Sequence, residues 1–218
     1  MYKILLKTAG FLIIPFTSFA NQRCDSFKSD PEIITSINYA TPVYKSVSKD
    51  KIMLITELKN PLQTMGVTVA DFSIGFSMSV DRNLVADGYC MNVNSIKFDI
   101  GYNSLDVLID EKYRSHTCQY EEIKKHEQEH VKIYQNELKY YGKLIVDEIK
   151  ILFENMPAFF MPYNATELQI TKKIDKMLKN DVKLNLLKNR LERAILDKNI
   201  AHDSDEEYLR VKNSCSSW

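Results

Sequence analysis

Along the first half of the chain apolar and polar residues alternate with the period of a strand. In residues 73–80, Ile74, Phe76, Met78 and Val80 share one face, and Ser73, Gly75, Ser77 and Ser79 the other. Lys51-Ile52-Met53-Leu54-Ile55-Thr56 and Val67-Thr68-Val69 are short apolar, β-branched runs that predict further strands. Residues 93–100 and 105–110 predict two more, separated by Gly101-Tyr102-Asn103-Ser104. Asp81-Arg82-Asn83 and Ala86-Asp87-Gly88 carry turn chemistry. Consecutive strands with short polar connections predict an antiparallel sheet within residues 31–110.

The period then changes. From Cys118 onward Ile123, Val131, Tyr134, Leu138, Tyr141, Ile145, Ile149, Leu152 and Met156 recur at helical spacing, with no proline among them. Pro157 and Pro162 bound the loop that ends this helix. A second stripe (Ile170, Ile174, Met177, Leu184, Leu187, Leu191, Ile195) predicts one helix over residues 166–199. Two long helices joined by a short loop predict an antiparallel pair. The expected class is α+β: a signal peptide over residues 1–20, a β-rich part over 21–117, a helical hairpin over 118–200 and a polar tail over 201–218.

Composition narrows the function classes. Hydrophobic residues make up 44% of the 218, enough for a real core and against wholesale disorder. Lys and Arg together number 29 and Asp and Glu 29, so no global basic field points to nucleic acid. Lys3 and Lys7 precede the apolar stretch from Ala9 to Phe16, and Ser18-Phe19-Ala20 supplies small residues ahead of a cut before Asn21. That run is too short to span a bilayer, which needs about 20 residues. A secreted or periplasmic chain is expected, of net charge about −2 after both lysines are removed and with no transmembrane segment left. Its four cysteines, Cys24, Cys90, Cys118 and Cys215, then lie in an oxidising compartment. Three pairings are possible. The favoured one joins Cys90 to Cys118, stapling the strands to the first long helix, and leaves Cys24 with Cys215.

His126-Glu127-Gln128-Glu129-His130 carries the sharpest chemistry. Residues four apart on a helix stack one turn above each other, so both imidazoles can reach one zinc ion at about 2.0–2.1 Å. Glu127, rotated by about 100°, can hold a water on that zinc without ligating it. Zinc lowers the pKa of such a water to roughly 7, and the carboxylate takes its proton for attack on an amide carbonyl. His126 and His130 share the stripe of Tyr134, Leu138 and Tyr141 and so point toward packed structure. A solvated charged face built on Lys124, Lys125, Glu127 and Glu129 is the bland alternative.

A catalytic zinc usually takes three protein ligands and keeps one position open. Glu148 follows His130 by eighteen residues, but on a continuous helix that is about 27 Å along the axis. It reaches the metal only if Gly142 breaks the helix, in which case Glu154 also approaches. His202, Glu192 and His116 are the remaining candidates. Gln135 and Asn136 occupy the region where a metzincin places its third histidine. A di-iron site fails for want of a second Glu-x-x-His.

Residues 89–134 resemble a bacterial family of predicted secreted zinc-dependent proteases, itself largely uncharacterised. Tyr89-Cys90, the run 93–100, Ile109-Asp110-Glu111-Lys112-Tyr113, Cys118-Gln119-Tyr120 and His126-Glu127-Gln128-Glu129-His130-Val131 carry the likeness. The resemblance implies His126 and His130 as zinc ligands and Glu127 as general acid and base, and it favours the Cys90–Cys118 pairing. The expected function is a zinc metallopeptidase acting on a peptide or protein substrate in the cell envelope, with the β-rich part as a cleft wall. The competing expectation is a non-catalytic envelope protein with a structural metal or a helical interaction surface.

Overall fold

A computed structural model describes residues 24–27, 30–56 and 65–218. The expected signal peptide lies outside the described residues. The order is β1 (Glu32–Asn38), β2 (Val43–Val47), α1 (Lys49–Thr56), β3 (Gly66–Val85), β4 (Gly88–Asp110), α2 (Cys118–Glu154), β5 (Phe159–Pro162), α3 (Glu167–Asn180), α4 (Val182–His202) and α5 (Asp205–Asn213).

β4 is the hub of the sheet. β3 pairs with it antiparallel along its whole length, from Gly66 opposite Ile109 to Val85 opposite Gly88. Along the other edge of β4, β5, β1 and β2 follow one another. β1 and β2 run parallel to β4 and β5 runs antiparallel. The expected antiparallel sheet is therefore wrong, and the sheet is mixed. Alternation reports which face of a strand is buried and carries no information on the direction of its partner.

Two strands read as broken are continuous. The register between β3 and β4 slips at Asp71/Phe72 and at Ser79/Val80. Each slip adds one residue on β4 and switches the parity of its inward side chains. Met91 and Val93, then Ile96, Phe98, Ile100 and Tyr102, then Leu105, Val107 and Ile109 all stay buried. The first six join the main core, and the last three a second cluster with Ile123 and Val131 of α2. Gly101 sits at φ +140°, where a Cβ would come 2.0 Å from the Asn38 carbonyl oxygen of β1. The residues read as a strand-breaking turn thus allow close approach of β1.

The run from Lys51 to Thr56 is part of helix α1, not a strand. Ser48 opens it by accepting from the Lys51 and Ile52 amides, and Ile52 packs with Val47 and Leu108.

The expected two-helix hairpin is also overturned. Among the described residues there are five helices, and the stripe from Ile170 to Ile195 belongs to two of them. Asp181 stands between α3 and α4 with extended backbone, its side chain accepting from the Leu184 amide. Capping there ends one helix and starts the next without disturbing the spacing of the buried residues, which hides the break from periodicity. α2 lies across the sheet, burying Leu138, Ile145, Ile149 and Phe153 against β4 residues. α4 runs along α2, with Lys183 paired to Glu148 and Lys198 paired to Glu137.

The cysteines pair Cys24–Cys90 and Cys118–Cys215, with Cα separations of 5.5 and 5.9 Å. The favoured Cys90–Cys118 link is thus replaced. Cys90 lies within the strand, packed with Cys24 and Ala158, whereas Cys118 opens α2 beside the end of the chain. Both bonds fit an oxidising compartment. Among the described residues no helix is long and apolar enough to cross a membrane.

Candidate metal centre

The Thr117 side chain accepts from the Tyr120 amide at 3.3 Å and starts α2, fixing its phase two turns before His126. Ile123 and Val131 bury one side of that helix against Leu105, Val107 and Ile109. With that phase fixed, Glu127 and His130 are buried and His126 is half-buried.

Helix α4 delivers the third imidazole. His126, His130 and His202 each offer a nitrogen, and these atoms all lie within 4.8 Å of one another. The rings of His126 and His202 stack at 4.6 Å, and both meet the His130 ring edge-on at 4.9 Å. Of the five third-ligand candidates, His202 is the one brought to the pair. Glu148 is held by Lys183 instead.

The neighbouring groups fix how the rings point. Asn199 Oδ1 lies 3.0 Å from His130 Nδ1, and Glu207 Oε1 lies 3.3 Å from His126 Nδ1. With each Nδ1–H directed to an acceptor, both Nε2 atoms present lone pairs, and they stand 3.2 Å apart. Asp203 Oδ1 lies 3.2 Å from His126 Nε2 and 3.0 Å from His130 Nε2. His202 Nε2 is buried and has no hydrogen-bond partner among the described residues. The three imidazoles form a group that could hold a metal ion, and nitrogen ligands of this kind suit a borderline metal such as zinc. Without one, protons take the place. Burial opposes charging of His130, but Asp203, Glu127 and Asn199 outweigh it and raise its pKa to about 9. His126 is raised too, against burial, chiefly by Asp203. Burial and the two neighbouring imidazoles push His202 down, leaving it neutral.

Glu207 is itself anchored. Arg210 grips both its oxygens at 2.7 Å and reaches Glu122 of α2 at 3.2 Å, holding the Glu207 carboxyl down to about 2. This bridge carries the orientation of His126 from one helix to the other.

Glu127 sits apart from the imidazole cluster, in the wall toward β3. Thr68 Oγ1 lies 2.8 Å from its Oε2 and 3.2 Å from its main-chain oxygen. A Cβ at Gly66 would stand 2.8 Å from its Oε1, so only glycine leaves the carboxylate its room. Burial raises the pKa of Glu127, against the pull of His130 and Thr68. A cleft of about 620 Å³ runs past these groups, lined among others by Gly66, Val67, His126, Glu127, His130 and Asp203. Sequence reasoning missed Asp203, Asn199, Glu207, Thr68 and Gly66. The one available signal was the antiparallel register of α2 and α4, set by Glu137–Lys198 and Glu148–Lys183, which carries the end of α4 to His126.

Compared with known proteins, the chain matches no protein-family model, no curated protein and no solved structure.

Proposed function

We propose that this chain is a zinc-dependent peptidase acting outside the cytoplasm, with His126, His130 and His202 as ligands and Glu127 as general base. The observation that carries it is the convergence of three imidazoles and a buried carboxylate, held separately from them, on one cleft. Zinc bound there supplies Lewis acidity, polarising a carbonyl and bringing the pKa of water toward about 7. Glu127 takes a proton from water at its carboxylate and returns it to the leaving amine nitrogen; its raised pKa suits both transfers. Thr68 and Gly66 hold that carboxylate in place. Among the described residues β3 bonds to no strand other than β4, so Gly66, Val67 and Thr68 offer a free main-chain edge along the cleft. An extended peptide fits such an edge. The likeness of residues 89–134 to secreted zinc-dependent proteases supports the same reading, and the two disulfides support its location.

A metal of purely structural role is the second reading, favoured by the Asp203 carboxylate beside both Nε2 atoms. Metal analysis and cleavage of a peptide library, wild type beside Glu127→Gln and His202→Ala, separate the two. On the peptidase reading Glu127→Gln keeps one zinc per chain and loses about 10²–10⁴-fold in rate, while His202→Ala loses the zinc. Wild-type protein with stoichiometric zinc and no cleavage of any peptide points to the structural role. Absence of zinc from the wild type removes both.

A further inference from the structure

We propose that Asp203 is a fourth protein ligand, closing the metal site at rest and leaving it when substrate enters; this rests on the metal site proposed above. The geometry comes first. Four ligands placed tetrahedrally at about 2.0–2.1 Å lie about 3.3–3.4 Å from one another. His126 Nε2, His130 Nε2 and Asp203 Oδ1 form a triangle with sides of 3.2, 3.2 and 3.0 Å, close to one face of that tetrahedron. His202, the residue before Asp203, brings a nitrogen within 4.8 Å of those of His126 and His130 and is the fourth group of the proposed set.

The placement of Asp203 also suits a ligand that leaves. His126 and His130 stand more than two turns inside a 37-residue helix, in its first half, and the ring of His130 is nearly enclosed. Asp203 caps the C-terminus of α4, one residue before Ser204 caps the N-terminus of α5. Its side chain is 54% exposed against 8% for His130, and among the described residues its carboxylate bonds run to the two histidines. Rotation about its own side-chain torsions withdraws the carboxylate with both helices intact. The C-terminal end of α4 also places partial negative charge beside the site, which favours a cation there. Asp203 thereby reconciles a closed set of four ligands with an open cleft: the fourth position is filled by a group that can turn out into it.

Cobalt(II) substitution tests this without reference to activity. Wild type, Asp203→Ala and Asp203→Asn are loaded with cobalt after circular dichroism has shown each to be folded. Azide is then titrated while the visible d–d bands are followed. The proposal expects both variants to bind one cobalt at least about tenfold more weakly than wild type. It also expects azide to shift the bands of Asp203→Ala at concentrations that leave wild type unchanged. Equal cobalt affinity and equal azide response in wild type and Asp203→Ala overturn Asp203 as a ligand while leaving the three-histidine site standing. If wild type binds no cobalt, the metal site itself falls, and the role of Asp203 with it.

Discussion

Removing one disulfide is expected to uncouple metal binding from global stability in a way that removing the other does not. Cys118–Cys215 closes 97 residues and Cys24–Cys90 closes 66. The loop-closure entropy lost from the unfolded chain is worth about 4.7 kcal/mol for the first and about 4.4 kcal/mol for the second. On that basis both variants, Cys118→Ser/Cys215→Ser and Cys24→Ala/Cys90→Ala, lose stability to nearly the same degree. Their local surroundings differ. Cys24 and Cys90 are fully buried and far in sequence from the histidines. Cys118 is exposed, two turns ahead of His126, and Cys215 follows α5, the helix that carries Glu207. Without that bond α5 and the residues after it are held to α2 by the partly exposed Arg210–Glu122 pair, the half-buried Glu207–His126 contact, the exposed Gln119–Ser217 contact and the burial of Val211; the exposed contacts are worth little. The Cys118→Ser/Cys215→Ser variant is therefore expected to bind zinc about 10–100-fold more weakly, as for loss of groups that orient a metal's ligands, and the Cys24→Ala/Cys90→Ala variant to bind it normally once folded. Urea unfolding measures the first quantity, and competition with a chromophoric chelator measures the second. An equal loss of zinc affinity in both variants, or none in either, refutes the idea that this bond clasps the metal site. Exposure of Cys118 adds a check: a mild dithiol followed by alkylation should label Cys118 and Cys215 before Cys24 and Cys90.

Two further outcomes follow from the site. Gly66→Ala places a methyl group against Glu127 Oε1 and Ile123 Cγ2, at 2.8 and 2.9 Å; peptide cleavage should fall at least tenfold with zinc content unchanged, and a fully active variant would contradict the role given to the Glu127 position. In the metal-free chain the His130 pKa of about 9 lies above its ordinary 6.5, so its proton adds stability fully below about pH 6.5 and loses that contribution as pH rises through 9. Zinc has to displace that proton, which weakens apparent affinity about 100-fold at pH 7 and about twofold at pH 9; chelator competition should show tightening of about 50-fold over that interval, and a flat profile would mean that zinc displaces no such proton from His130.

The motif was legible because its chemistry is local. His126, Glu127 and His130 need only a helix, and the spacing of Ile123, Val131 and Leu138 supplies one. The rest of the site depends on distant chain. His202 stood among five third-ligand candidates, since nothing in its own neighbourhood marks it; the pairing of α4 along α2 selects it. Thr68 and Gly66 come from a strand whose sequence looks ordinary. In the sheet, residues 73–80 and 93–100 announced themselves by alternation, but the slips beside Asp71/Phe72 and Ser79/Val80 looked like strand ends, because a bulge and a turn break the two-residue repeat alike. Parallel pairing of β1 and β2 left no trace in either strand, and four cysteines could not declare their partners.

The sheet has the connectivity of a star. Every outer strand is bonded to β4, and among the described residues none is bonded to another outer strand. Such an arrangement has no ladder through which the opening of one arm propagates to the next. β5, β1 and β2 can each fray alone, and amide exchange should resolve them as separate units around a slowly exchanging spoke at Ile96, Phe98 and Ile100. The same independence reaches the cleft. The segment from Gly66 to Thr68 can loosen at one tip of the star, shifting the wall that holds Glu127, while the rest of the sheet keeps its shape and α2 keeps its bed.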